Sequence, residues 1–113
     1  MSLSDLIFTG FNRRVAALDK RTGQIVWDRK LPKGYPYVTL LLDGDLLVVA
    51  VDGYMYGLHA LTGEQRWFNE MSGFGTGVTS LASVNGSVQN LAAAAAADEA
   101  ARSSDANSSS PNH

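Results

Sequence analysis

Short apolar runs separated by polar turns occupy residues 6–87 and predict a series of β-strands. The runs are rich in β-branched and aromatic side chains, as in Leu6–Phe11 and Leu46–Val51, which favours short strands over helices. Asn12-Arg13, Asp43-Gly44 and Asp52-Gly53 separate consecutive runs. Pairs of this kind are typical of tight hairpin turns, so the pattern predicts antiparallel sheets.

Eight strands are predicted from these runs. They are Leu6–Phe11, Arg14–Asp19, Gln24–Arg29, Val38–Leu42, Leu46–Val51, Tyr54–His59, Gln65–Phe68 and Val78–Ala82. Leu31–Tyr37 contains two prolines and Met71–Gly77 is rich in glycine. Both are predicted as connections, because proline cannot donate a hydrogen bond within a sheet.

The chain repeats itself with an offset of forty residues. Gly23 and Trp27 recur as Gly63 and Trp67, and one register holds from residue 5 to about residue 81. A repeat of about 40–45 residues that is built from short strands is typical of β-propeller blades. With the strands of a blade named A to D from centre to rim, the order is B-C-D, A-B-C-D, A. The prediction is an all-β fold with two four-stranded antiparallel propeller blades.

The repeated segment also resembles a known family. Its pattern, Ala-x-Asp-x-x-Thr-Gly-x-x-x-Trp, resembles the tryptophan-docking motif of quinoprotein-type (pyrroloquinoline-quinone-like) β-propellers. The two copies supply Ala17, Asp19, Thr22, Gly23 and Trp27, then Gly57, Thr62, Gly63 and Trp67, with His59 replacing the aspartate of the second copy. The resemblance implies the propeller fold but little about function, since such repeats serve dehydrogenases, assembly scaffolds and sensors.

The order of the strands predicts self-association. Val78–Ala82 is an A strand, the type that is missing before Leu6. Two blades do not close a ring, because propellers have about 4–8 blades. We therefore expect head-to-tail assembly, in which this strand completes the first blade of a neighbouring copy. Three copies would give six blades and four copies eight.

The composition changes near residue 88, so residues 1–87 are predicted as the repeat module and residues 88–113 as a tail. The alanine run Ala92–Ala97 favours a helix, and the Ser- and Asn-rich residues 103–113 favour disorder. The formal net charge is −2 and there is no cysteine. These values give no reason to expect nucleic-acid binding, disulfides or cysteine-ligated metal. No apolar run is long enough to span a membrane.

The start of the chain has no basic region of the kind that begins a signal peptide. The cellular compartment is therefore open from sequence: cytoplasmic is the default expectation, and periplasmic is expected if a signal has been removed.

The sequence offers little catalytic chemistry. Gly73–Gly77 lacks the strand–loop–helix setting and the Lys-Ser/Thr ending of a phosphate loop. Asp43 and Asp52 belong to turns at opposite ends of one strand, too far apart to share an ion. His59 is expected to bond the backbone of its own turn. The residues favour a protein without catalytic, metal or cofactor sites.

A recognition surface is predicted at the end of the blades where the D–A connections meet the B–C turns. Loops at one end of a propeller are its usual binding surface. The candidate residues are Asn12, Arg13, Lys33, Tyr35, Tyr37, Asp52, Tyr54 and Phe74. Tyrosines beside charges suit a protein or peptide partner, although Tyr35-Pro36-Tyr37 could equally pack the junction between blades.

Three functions remain open from sequence. The first is a non-catalytic scaffold for protein–protein contacts, assembled as a homo-oligomeric ring. In repeat type it resembles the scaffold lipoproteins of outer-membrane barrel assembly. The second, implied by the resemblance, is part of a quinoprotein-like dehydrogenase that binds pyrroloquinoline quinone with calcium in the assembled ring. The third is a truncated propeller without independent function.

Overall fold

A computed structural model describes residues 1–34, 36–75, 77 and 79–89 of the chain. Beyond one 3₁₀ turn at Leu3–Asp5, it consists of strands. These are β1 (Leu6–Phe11), β2 (Arg14–Asp19), β3 (Ile25–Lys30), β4 (Val38–Asp43), β5 (Leu46–Val51), β6 (Tyr54–His59), β7 (Gln65–Asn69), β8 (Ser80–Ser83) and β9 (Gly86–Gln89). The predicted all-β class is confirmed. Within the described part of the chain, no helix is long and apolar enough to cross a membrane.

The strands form three antiparallel sheets, which we call blades 1, 2 and 3. Blade 1 is β1-β2-β3, blade 2 is β4-β5-β6-β7 and blade 3 is β8-β9. The forty-residue offset extends to the details of pairing. The register shifts between Ala17 and Leu18 in blade 1 and between Gly57 and Leu58 in blade 2. The repeat therefore describes the sheet geometry as well as the sequence.

The hairpins explain where the strands end. Asn12 and Arg13 have φ of 54° and 60°, and positive φ at both central positions is the signature of a type I′ turn. The turn after β4 lies at Gly44-Asp45, one residue later than predicted, because Asp43 still pairs with Leu46. Gly44 supplies the positive φ of 61° that this turn needs.

The end of the described chain differs from the prediction. The strand expected at Val78–Ala82 is β8, Ser80–Ser83, and Val78 itself lies outside the described residues. A strand that was not predicted, β9, pairs with β8 through a turn in which Asn85 N–H donates to Ser83 Oγ at 3.1 Å. Its sequence, Gly-Ser-Val-Gln, has too few apolar residues to give a strand signal.

This additional strand has two consequences for the predictions. The edge of β8 that was expected to pair with a neighbouring copy is already paired with β9. In addition, β9 crosses the predicted boundary between residues 87 and 88. The division of the chain into a repeat module and a tail stays a prediction. The helix and disorder expected for the tail fall on residues 90–113, which lie outside the described residues.

The main core lies between blades 1 and 2. Each blade has a front face, which points towards the preceding blade, and a back face, which points towards the next one. The front face of blade 2 carries Leu47, Val49, Tyr56 and Leu58, and all four are buried. Val15, on the back face of blade 1, and the connecting residue Leu31 pack against them. Because apolar burial is the main stabilising term, this joint holds the module together.

Candidate functional site

The two copies of the repeated motif form nearly identical turns. In the first, Asp19 Oδ1 accepts a hydrogen bond from Arg21 N–H at 2.9 Å. In the second, His59 Nδ1 accepts one from Leu61 N–H at 3.2 Å. The histidine nitrogen thus takes the place of the carboxylate oxygen, and His59 bonds the turn backbone as its position predicts. Gly23 and Gly63 follow with φ of 78° and 79°, a conformation that favours glycine.

Trp27 joins blade 1 to the turn of blade 2. Its indole Nε1–H donates to the carbonyl oxygen of Ala60 at 2.9 Å. Its ring lies over Gly63, where an added Cβ would stand 2.5 Å from Trp27 Cε3. Arg29, two residues further along β3, donates from Nε to the Gly63 carbonyl at 2.7 Å. Trp27 and Arg29 of blade 1 therefore both contact the backbone of blade 2, at Ala60 and Gly63.

The equivalent positions at the two ends of the module lack such a partner in the described structure. Among the residues that the structure describes, no atom lies within 4 Å of the point where a Cβ on Gly23 would stand. Trp67, the counterpart of Trp27, lies over Gly57 of its own blade and is 39% exposed. The sequence motif alone predicts no such difference between the copies.

The front face of blade 1 is bare where that of blade 2 is buried. Ile7 is 50% exposed, whereas its repeat equivalent Leu47 is 1% exposed. Phe11 is 69% exposed, whereas its equivalent Val51 is fully buried. Ile25, on the same face, is exposed as well. This contiguous apolar face is of the kind that marks an interaction surface.

The predicted recognition surface is brought together at one end of the blades. Asn12 N–H donates to the Pro36 carbonyl at 2.9 Å, and Leu31 N–H donates to the Arg13 carbonyl at 2.8 Å. On blade 2, Gly77 N–H donates to Asp52 Oδ1 at 3.3 Å. The B–C turns and the D–A connections therefore meet at the same end. Tyr37 is exposed there, and Tyr35 lies outside the described residues.

Lys33 links the two connections on this surface. Its Nζ lies 6.0 Å from the centre of the Tyr54 ring, a cation–π distance, and 3.8 Å from Glu70 Oε2. The Lys33 backbone is held by Tyr56, whose hydroxyl accepts from Lys33 N–H and donates to the Lys33 carbonyl, each at 3.2 Å. Burial raises the pKa of Tyr56 above its usual value, so the hydroxyl keeps its proton for this second bond.

A groove of about 350 Å³ opens beside Tyr54, between blade 2 and β8. Ala50, Met55, Met71 and Leu81 give it an apolar floor, and Phe74, 76% exposed, stands at its edge. The groove also includes Asp52 and Tyr54, which with Phe74 belong to the predicted surface, whereas the four floor residues were not predicted. The repeat could have identified Met71, because it is the counterpart of Leu31, which is fully buried in the joint between blades 1 and 2.

Comparison with known families identifies the repeat. The family model described as outer membrane protein assembly factor BamB, of the PQQ-like propeller type, matches residues 4–109. The chain belongs to this family. The predicted quinoprotein-type propeller repeat is thereby confirmed.

The crystal structure of BamB from Moraxella catarrhalis is similar, with 29% sequence identity and a TM-score of 0.47. The match covers 57% of this chain and 20% of the Moraxella protein. The chain thus spans about a fifth of the length of that BamB. A comparison with curated proteins returned no match.

The BamB-type module offers no evident metal site in its described part. There, no three histidine, cysteine or acidic side chains lie close enough together to hold an ion. Asp43 and Asp52 lie at opposite ends of β5, as the hairpins require. The quinone-binding alternative stays a prediction, and we derive no chemistry from it.

Proposed function

We propose that this chain is a non-catalytic propeller module that acts as a protein-interaction scaffold and assembles with copies of itself into a ring. The observation that carries the proposal is the bare front face of blade 1, since the same positions in blade 2 are buried. Membership of a family described as an outer membrane protein assembly factor supports a role in holding proteins together. Within the chain, the Trp27 contact is proposed to be the tryptophan-docking element of the repeat.

The ring is tested by the mass of the full chain in solution. Size-exclusion chromatography with light scattering should give a defined multiple of 12.1 kDa, the mass of one chain. Three or four copies fit the number of blades in known propellers. A folded chain that keeps the mass of one copy at every concentration would disprove the ring.

The surface around Lys33, Tyr54 and Phe74 is proposed to bind the protein partner. It combines an exposed aromatic side chain with a cation that lies beside a second aromatic ring, features that are common at the energetic centres of protein interfaces. The family description suggests a suitable probe, a fluorescently labelled outer-membrane β-barrel protein in its unfolded state. Its binding to the full chain can be followed by anisotropy.

A matched pair of variants tests whether this surface is responsible. Phe74→Ser removes the exposed ring beside the groove and should weaken binding by about tenfold. Val84→Ser removes an apolar side chain that is even more exposed, at 99%, from the β8–β9 turn, which lies beside the Asp43 end of blade 2. It should leave binding unchanged. Equal loss in both variants would indicate non-specific hydrophobic contact, and no loss in either would exclude the surface.

A further inference from the structure

The joint between blades 1 and 2 is a template for a contact between copies. Trp27 meets a glycine with φ near 79° and a backbone carbonyl three residues before it, at Gly63 and Ala60. Blade 1 has the same receptor in Gly23 and the carbonyl of Lys20, which accepts no hydrogen bond in the described structure. Blade 2 has the same donor in Trp67. One chain thus carries an open receptor at one end and an open donor at the other.

We infer that Trp67 of one copy docks on Gly23 of the next, with its indole N–H bonded to the Lys20 carbonyl. This inference rests on the proposed self-association and specifies its interface. The front face of blade 1, with Ile7 and Phe11, then lies on the back face of blade 2, over the groove lined by Ala50 and Met55. The interface is head to tail, because its two sides are different surfaces of the same chain.

This docking requires β1 of the incoming copy to replace β9 beside β8. In the repeat register, β9 stands at the B position of blade 3, which is the position that β1 holds in blade 1. β9 presents Ser87 where β1 presents Ile7, and β9 has four residues where β1 has six. Exchange therefore exposes a short polar strand and buries a longer apolar one, which favours association.

The contact between copies differs from the internal joint in one respect. Asn69 stands where Arg29 makes its bond to the Gly63 carbonyl, and Asn69 Oδ1 instead accepts from Met71 N–H at 2.8 Å. The joint between copies thus lacks one charged hydrogen bond. We expect it to be weaker than the internal joint, so the assembled state should depend on protein concentration.

Two single variants block opposite sides of this interface. Trp67→Ala removes the donor and leaves the receptor intact, while Ile7→Glu places a charge on the receiving face and leaves the donor intact. In one copy Ile7 is 50% and Trp67 39% exposed, so both variants should fold, with far-UV circular dichroism and tryptophan fluorescence as checks. Each alone should raise the dissociation constant at least about tenfold and shift the mass towards 12.1 kDa.

Mixing the two variants gives the decisive result. Trp67 of the Ile7→Glu variant can still dock on Gly23 of the Trp67→Ala variant. The remaining side of each chain is blocked, so the mixture should form a one-to-one dimer and nothing larger. A mixture that stays monomeric would overturn the inference. If wild type forms an oligomer that neither variant disturbs, the ring stands and this interface is wrong. If wild type is a monomer, both the ring and the interface fail.

Discussion

Blade 1 and blade 2 carry the same motif forty residues apart, yet their equivalent residues have different surroundings. Gly63 is covered by the ring of Trp27, while Gly23 has no neighbour within 4 Å in the described structure. Leu47 is buried and Ile7 is not. The turns themselves are alike, with the same φ at glycine and the same backbone bonds. In the joint between these two blades, Trp27 of the first copy and Gly63 of the second form the two sides of the contact.

Removing the tryptophan that is docked should have the largest effect. Trp27→Ala removes the indole bond to Ala60 and opens the joint beside Phe8 and Gly63. We expect a loss of about 3 kcal/mol in the free energy of unfolding, the low end for Trp→Ala because Trp27 is only half buried. Urea denaturation at a concentration below that of self-association measures it.

Trp67→Ala is the matched control under the same conditions. Within one copy it loses only the packing of its ring on Gly57, so the loss should be below about 1 kcal/mol. Equal losses in the two variants would mean that the tryptophans stabilise their own blades and that the joint is not their role.

The sequence predicts the blades better than it predicts the joints. Strands β1, β2, β5 and β6 match their predicted bounds, because short apolar runs between tight turns specify both ends of a strand. It could not show that Gly23 and Gly63 differ, since a local motif does not reveal what packs on it. β9 was not predicted, because a strand of four residues with a single large apolar side chain, Val88, has no distinctive hydrophobic period.

A pair of glycine variants separates the effect of the Trp27 contact from the effect of the turn itself. Gly63→Ala and Gly23→Ala both place a Cβ at positive φ, which costs about 1 kcal/mol for a non-glycine residue. Only in Gly63→Ala does the new Cβ also meet the ring of Trp27, at 2.5 Å from Cε3, and overpacking of this kind costs a further ~1–3 kcal/mol. Thermal unfolding of the two variants side by side, at a concentration below that of self-association, gives the difference. Equal melting temperatures would show that the ring can move aside freely.

The Arg29 contact is expected to be worth less than the ring. Arg29→Met keeps an apolar stem of similar length but leaves the Gly63 carbonyl without its donor at 2.7 Å. A loss of about 1–2 kcal/mol in unfolding free energy is expected for one charged hydrogen bond. Arg21→Met is the control, because Arg21 is mostly exposed and only pairs with Asp19 at 3.7 Å; it should change stability little. If Arg29→Met lowers the unfolding free energy no more than Arg21→Met does, the Arg29 hydrogen bond to Gly63 does not stabilise the joint.

The smallest expected effect concerns blade 2 alone, where Arg66 makes two contacts with the Asp45 carboxylate, at 3.3 and 3.4 Å. This hydrogen bonding and the charge of Arg66 hold the pKa of Asp45 below its usual value of 3.8. Because the folded-state pKa is the lower one, the stabilisation is present above the unfolded-state pKa and is lost as pH falls through the folded-state pKa.

Asp45→Asn should therefore lower the melting temperature slightly near neutral pH and converge with wild type as pH falls below about 4. Both side chains are exposed, so added salt should shrink the difference as well. A gap that persists in acid would assign the effect of the substitution to the Gly44-Asp45 turn rather than to the ion pair.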